Sequence, residues 1–288
     1  MGEKTLLAII KKSGWKGAWE EQLRGLSSKL NLLEDTGRYR RLVGNLETSN
    51  DKGNFTACVL EATIAFQFES RGIELDYEVR QDPDGTGSID FRWKTASGRA
   101  VYIEVCLLQQ DKATTDSIGG QLQNGDVYGI IGDGDSEKQD IIRVQHAILE
   151  KVQKRDGTPT KFLAIHKDAI NIVAVDISEI ILGMFDSHDC KLVTLGDPSV
   201  QAVYRREVFG LFQESMPAYP EYIQSLARSY DRVGKTLHGV LFLFRQPKGE
   251  LFNYSVERYL AWNPNLISEE NATAICNEIE PALPLVKE

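Results

Sequence analysis

The sequence predicts an α/β protein: a mixed central sheet flanked by helices, with a helical N-terminal extension. Three observations predict it. Residues 54–71 carry apolar side chains around most of a helical circumference, as a largely buried helix does. Residues 73–108 hold three stretches of period-two alternation, the mark of strands with one apolar face. A second helical stripe, Ile141, Val144, Ile148 and Val152, then leads into further apolar runs.

Composition sets bounds. The 288 residues are 42% hydrophobic and 26% charged, ordinary for a globular chain. No apolar run reaches the length of a membrane span, and MGEKTLLAIIKKSGWKG reads as no signal peptide. Cys58, Cys106, Cys190 and Cys276 form no CxxC or zinc spacing, which suggests reduced thiols and a cytoplasmic location. The formal net charge of -9 argues against broad nonspecific nucleic-acid binding, although a local basic groove is compatible with it.

Residues 1–50 read as the helical extension. Leu6, Leu7, Ile9 and Ile10 begin an apolar face that Trp15, Trp19, Leu23, Leu26, Leu30 and Leu33 extend. Residues 51–265 form the main α/β unit, and 266–288 a tail expected to be loose. In the main unit, Asn54 is the expected cap of the first helix and Gly72 its stop. Glu61 sits inside that helix's apolar pattern, where a carboxylate needs a partner. Ile73, Leu75, Tyr77 and Val79 alternate as a first strand, followed by the turn-rich QDPDGTG. Residues 87–108 read as a hairpin turning at residues 95–98, with Asp90 and Glu104 nearly opposite on its mixed faces. Two carboxylates held close call for a neutralising group, and a hard divalent cation is one.

The polar stretch at about 109–138 reads as a loop insertion. The second helix spans 140–155. Apolar strands are expected at 161–166, 171–175 and 239–244, with a short one at 192–195. Asp176 and Glu179 match a capping box before Ile180, Ile181 and Met184. His188, Asp189 and Cys190 lie together but lack metal-ligand spacing. Phe209, Leu211 and Phe212 are packing anchors, Pro220 opens a helix over 222–233, and residues 252–262 close the globular part.

The helix with Glu61, the hairpin with Asp90 and the strand YIEVC resemble the PD-(D/E)XK nuclease superfamily, over about residues 54–166. The resemblance implies a restriction-endonuclease-like fold, and the C-terminal part suggests a microbial branch. It implies a metal-dependent nuclease in which Asp90, Glu104, the Val105 carbonyl and Glu61 hold magnesium or manganese. Gln145 resembles a position often polar in that family. The family's lysine is replaced by Cys106, which brings no positive charge. Arg92 and Lys94, which alternate onto the face of Asp90, are the first candidates to supply that charge, ahead of Lys151 and Lys112. The implied partner is nucleic acid, DNA rather than RNA, with no membrane role. A homodimer suits the cutting of both strands of a duplex. The alternative is a catalytically inactive nuclease-like domain that binds nucleic acid or protein.

Overall fold

The computed structural model describes residues 1–81, 87–110, 134–154, 157–162, 169–180, 185–196, 208–214 and 221–286, with the backbone alone at 134–137. Lys112, Ile181, Met184 and most of the expected insertion lie outside these residues, as do residues 163–166 of the strand expected at 161–166, residues 198–207 and the turn at 82–86.

The architecture is α/β, with a six-stranded mixed open sheet between two helical layers. Its strands are β1 (Leu75–Val79), β2 (Ile89–Lys94), β3 (Ala100–Leu107), β4 (Ala169–Asp176), β5 (Gly239–Glu250) and β6 (Asn253–Trp262), side by side in chain order. β1, β2 and β3 form an antiparallel meander, β4 and β5 run parallel to β3, and β6 returns antiparallel. The meander turns over Thr95 and Gly98, where the Gly98 N–H donates to the Thr95 carbonyl at 2.9 Å and Gly98 takes φ 87°. That conformation is one glycine adopts without a Cβ penalty.

One helical layer comprises α1 (Glu3–Lys12), α2 (Arg24–Thr36), α3 (Arg40–Thr48), α4 (Lys52–Glu69) and, near the C-terminus, α8 (Glu269–Ile279). Leu6, Leu30, Leu46, Phe55, Phe68, Phe91, Trp93, Ile172 and Ile275 share its buried cluster, so residues 1–50 help build the main core. The other layer comprises α5 (Gly134–Val152), α6 (Ser187–Thr194) and α7 (Glu221–Thr236). There Ile141, Ile148, Val175, Phe209 and Phe242 pack together, with Phe209, Leu211 and Phe212 buried as expected of anchors. Gln145 is buried among them, donating to the Val193 and Phe209 carbonyls and accepting from the Tyr230 hydroxyl.

Several elements differ from expectation. The cap of α4 is Asp51, whose carboxylate accepts from the Asn54 N–H at 2.9 Å. The strand beside β3 is residues 169–176, and Lys161 and Phe162 precede it outside any strand. The buried β5 segment pairs with β4 at Ile172 to Asp176 on one side and with β6 on the other. Residues 192–194 belong to α6, because the Asp186 carboxylate caps residues 188 and 189 and starts a helix through them. Asp176 ends β4 and pairs with Arg245, and in the described part of the expected capping box residues 177–180 form a turn. The tail is not loose: Ser268 caps α8, and Arg258 on β6 exchanges backbone hydrogen bonds with Pro284 and Val286 while Leu283 is fully buried. Trp19 leaves the apolar face predicted for it and is exposed.

Candidate functional site

The meander opens at one end, and the carboxylates gather there. Ladder pairing of β2 with β3 runs from Lys94↔Ala100 to Phe91↔Ile103 and then stops. One step further, Asp90 and Glu104 would stand opposite each other. Instead the Val105 N–H donates to Asp90 Oδ2 at 2.7 Å, so a side chain takes the place of the next backbone partner. The N–H and C=O of one strand residue point the same way, so the Val105 carbonyl also faces this opening. Across it, α4 presents Glu61, whose Oε2 accepts from the Tyr77 hydroxyl at 2.7 Å. On β1, Glu78 flanks the site with a left-handed backbone, φ 51°, a conformation that costs a non-glycine residue about 1 kcal/mol.

The result is an open cavity of about 500 Å³ lined by Gly53, Glu61, Asp90, Glu104, Cys106, Gln109, Lys151 and Lys161, among others. Glu104 is fully buried at its floor. Its Oε1 accepts from Lys151 Nζ at 2.8 Å and from Lys161 Nζ at 2.5 Å. Its Oε2 is buried with no hydrogen-bond partner among the described residues. An unpaired buried carboxylate oxygen is costly, so the site has capacity for one more positive or hydrogen-bonding group.

The electrostatics agree with that reading of the floor. Burial first, then the Glu104 and Glu61 charges, push Asp90 well above the ordinary carboxylate range, against Lys161 and the Val105 N–H. Burial and the Glu104 charge hold Glu61 up at about 6, although the Tyr77 hydrogen bond works downward. Burial would lower Lys151, but Glu104 outweighs it and keeps that ammonium above its usual value. Burial lifts the Cys106 thiol to about 11 even with Lys151 nearby, so Cys106 stays neutral at physiological pH.

The structure thus brings Glu61, Asp90, Glu104 and Val105 to one opening and leaves two predicted residues out. Arg92 pairs across β1 with Asp76 at 2.6 Å, and Lys94 lies exposed at the far end of β2. Both line a different pocket with Glu74 and Asp76. The charge supplied to the site comes from Lys151, a secondary candidate by sequence, and from Lys161, which sequence reasoning missed. Lys151 had a signal, since it lies three residues after Ile148 on the buried stripe of α5. Lys161 had only its place ahead of an apolar run.

Among the described residues, no group of three or more His, Cys, Asp or Glu side chains is arranged to hold a metal ion. His188, Asp189 and Cys190 serve α6, with Asp189 closing the capping box to the Asp186 N–H. No described helix is long and apolar enough to cross a membrane. Comparison with protein-family models, curated proteins and solved structures gives no match.

Proposed function

We propose that the chain is a metal-dependent phosphodiesterase acting on nucleic acid, on a restriction-endonuclease-like core of α4, β1 to β4 and α5. The supporting observation is the fully buried Glu104, unpartnered at Oε2 and flanked by Asp90, with Lys151 and Lys161 at its other oxygen. The donors fit a magnesium or manganese ion. Such a site uses one or two carboxylates and keeps several waters, so it needs no third acidic side chain. Asp90, Glu104 and the Val105 carbonyl would hold it, with Glu61 across the opening. A bound cation would polarise the scissile phosphate and acidify the attacking water.

The chain's own groups do the rest. Lys151 and Lys161 fix the Glu104 carboxylate through Oε1 and leave Oε2 for a cation. Their ammonium groups also supply the positive charge that Cys106 lacks, where phosphate charge would build. Glu61, held across the opening by the Tyr77 hydroxyl, is placed to orient a water at the site. The second reading, an inactive binding module, is favoured by two observations: both lysines already bond Glu104, and a neutral thiol stands where the resemblance puts the motif lysine.

The test is cleavage of plasmid DNA and labelled oligonucleotides in magnesium or manganese. Asp90→Asn and Glu104→Gln should each lose at least about 100-fold in rate, the scale of removing one electrostatic contributor. Manganese at about 100 times its Kd should stabilise the native protein by about 2.7 kcal/mol and leave Glu104→Gln unmoved. Cleavage that survives Glu104→Gln unchanged refutes the nuclease reading. Manganese stabilisation without cleavage favours the inactive module.

A further inference from the structure

We propose that Lys151 and Lys161 stand in for a second metal ion, so that the cleft takes a single divalent cation and one phosphodiester group. The proposal rests on the nuclease reading and fixes how many cations that site works with.

The first ground is the use of the carboxylate oxygens. Hydrolytic sites that employ two metal ions hold them about 3.5–4 Å apart, and a carboxylate between them gives one oxygen to each. Glu104 is the fully buried carboxylate at the cleft floor, and its two oxygens are unequal. Oε1 already receives Lys151 Nζ at 2.8 Å and Lys161 Nζ at 2.5 Å, while Oε2 has no hydrogen-bond partner among the described residues. Two ammonium groups therefore hold the oxygen that a second ion would need. The other two acids are engaged on one side as well. Asp90 Oδ2 accepts from the Val105 N–H and Glu61 Oε2 from the Tyr77 hydroxyl, each at 2.7 Å. A pair of ions would need more donors than the described residues group anywhere.

The second ground is charge balance. The charged side chains that line the cavity are Glu61, Asp90, Glu104, Lys151 and Lys161. Carboxylates hold a metal in their deprotonated form, so the loaded cleft sets three carboxylates against two ammonium groups, one negative charge in excess. One divalent cation turns that excess into one positive charge. A phosphodiester, with its single negative charge, cancels it. A second divalent cation would leave two positive charges uncancelled over a buried floor, where unbalanced charge is costly. Glu78 and Glu150 act on the cleft's groups from outside it. Glu78 is paired with Arg41 at 2.8 Å and Glu150 is exposed, so neither restores the need for a second ion.

The third ground is that the two ammonium groups are built in from separate elements. Lys151 stands in the last turn of α5, and Lys161 comes from the segment between α5 and β4. They converge on one oxygen of one carboxylate, and both side chains are mostly covered. Unlike a second ion, this positive charge is covalently tethered and does not depend on the metal concentration.

The experiment counts manganese bound to the full chain from the electron paramagnetic resonance signal of the free ion, without nucleic acid, so that occupancy is read apart from cleavage. The native protein should hold one ion that Glu104→Gln does not hold. Lys161→Met keeps Lys151 on Oε1 and removes one positive charge. It should therefore bind manganese at least about tenfold more tightly, since a unit charge a few ångströms from a divalent ion matters by that much even in water. A lysine that only braced Glu104 would have the opposite effect, its loss weakening the site. Two ions in the native protein that are both lost in Glu104→Gln, no ion at all, or weaker binding by Lys161→Met would each overturn the proposal. Two such ions together with cleavage abolished by Glu104→Gln would sink the single-cation count and leave the nuclease reading standing. That reading fails on its own result, cleavage unchanged in Glu104→Gln.

Discussion

Glu104 is fully buried, and a buried carboxylate must be matched by charge. Lys151 and Lys161 both bond its Oε1, at 2.8 and 2.5 Å, and each lysine side chain is only about a quarter exposed. Replacing one with methionine keeps the apolar stem and leaves one ammonium at the carboxylate. That single change should cost about 1–2 kcal/mol, the worth of a hydrogen bond to a charged group. Replacing both leaves Glu104 without its positive partners, and an unpaired buried charge costs about 3–5 kcal/mol. The two lysines share a partner, so their effects cannot add. In a cycle of Lys151→Met, Lys161→Met and the double variant, the double should exceed the sum of the singles by about 1 kcal/mol or more. Urea unfolding at pH 8 in EDTA measures this, provided the m-value is constant across the four proteins. Singles that sum to the double within about 0.3 kcal/mol would mean that the lysines are independent, and the picture of a shared counter-charge would be wrong.

Other outcomes follow from the same electrostatics. Glu61 is held above its ordinary value, at about 6, so its ionisation opposes folding, and the penalty grows as pH rises from about 4.5 through 6. In EDTA at pH 8, Glu61→Gln should therefore be more stable than the native protein by up to about 2 kcal/mol, with the gain gone at pH 4; a loss of stability at pH 8 counts against a crowded carboxylate site. Lys29 is buried, donates to the Tyr254 carbonyl at 2.5 Å, and is lowered by burial and then Lys248 to about 8. Its charge opposes folding below that pH, so the stability of the native protein relative to Lys29→Met should rise between about pH 8 and 10.5, by up to about 3 kcal/mol in urea titrations. A flat difference would show that Lys29 titrates normally. Cys106, neutral and largely covered, should react with iodoacetamide at pH 8 far more slowly than a free thiol, and Cys106→Ala should retain cleavage within about threefold; loss of cleavage in that variant would give the thiol a role.

Much of the site was readable from local pattern. Period-two alternation put Asp90 and Glu104 on facing strands, and an apolar helical circumference singled out Glu61. Alternation fixes which face a residue takes but not which neighbour it meets there. Arg92 shares a strand with Asp90, yet two residues along it finds Asp76 on β1 instead of the cleft. Lys161 is brought in by the return from α5 toward β4, a tertiary path with no periodic signature. Of the two apolar runs read as strands, 171–175 lies in β4, whereas Lys161 and Phe162 lie outside any strand; periodicity alone does not decide between such runs. The acidic tail, ending PALPLVKE, reads as loose because terminal segments often are; the backbone of Arg258 supplies partners that the sequence does not reveal. Residues 192–195 read as a strand because their short apolar run says nothing of the cap at Asp186, six residues earlier.

The hydrogen bond from Val105 to Asp90 has a use outside chemistry and stability. It makes one main-chain amide a resident reporter on the carboxylate beside it. An amide proton held by a charged oxygen resonates downfield, and weakening of that bond should move it back. In an isotope-labelled sample, the Val105 cross-peak would therefore register protonation of Asp90 or the arrival of a cation, without any mutation or any substrate. Amides locked in the neighbouring ladders, such as that of Ile103 facing Phe91 on β2 and that of Ile172 facing β3, would stay still and serve as the internal reference.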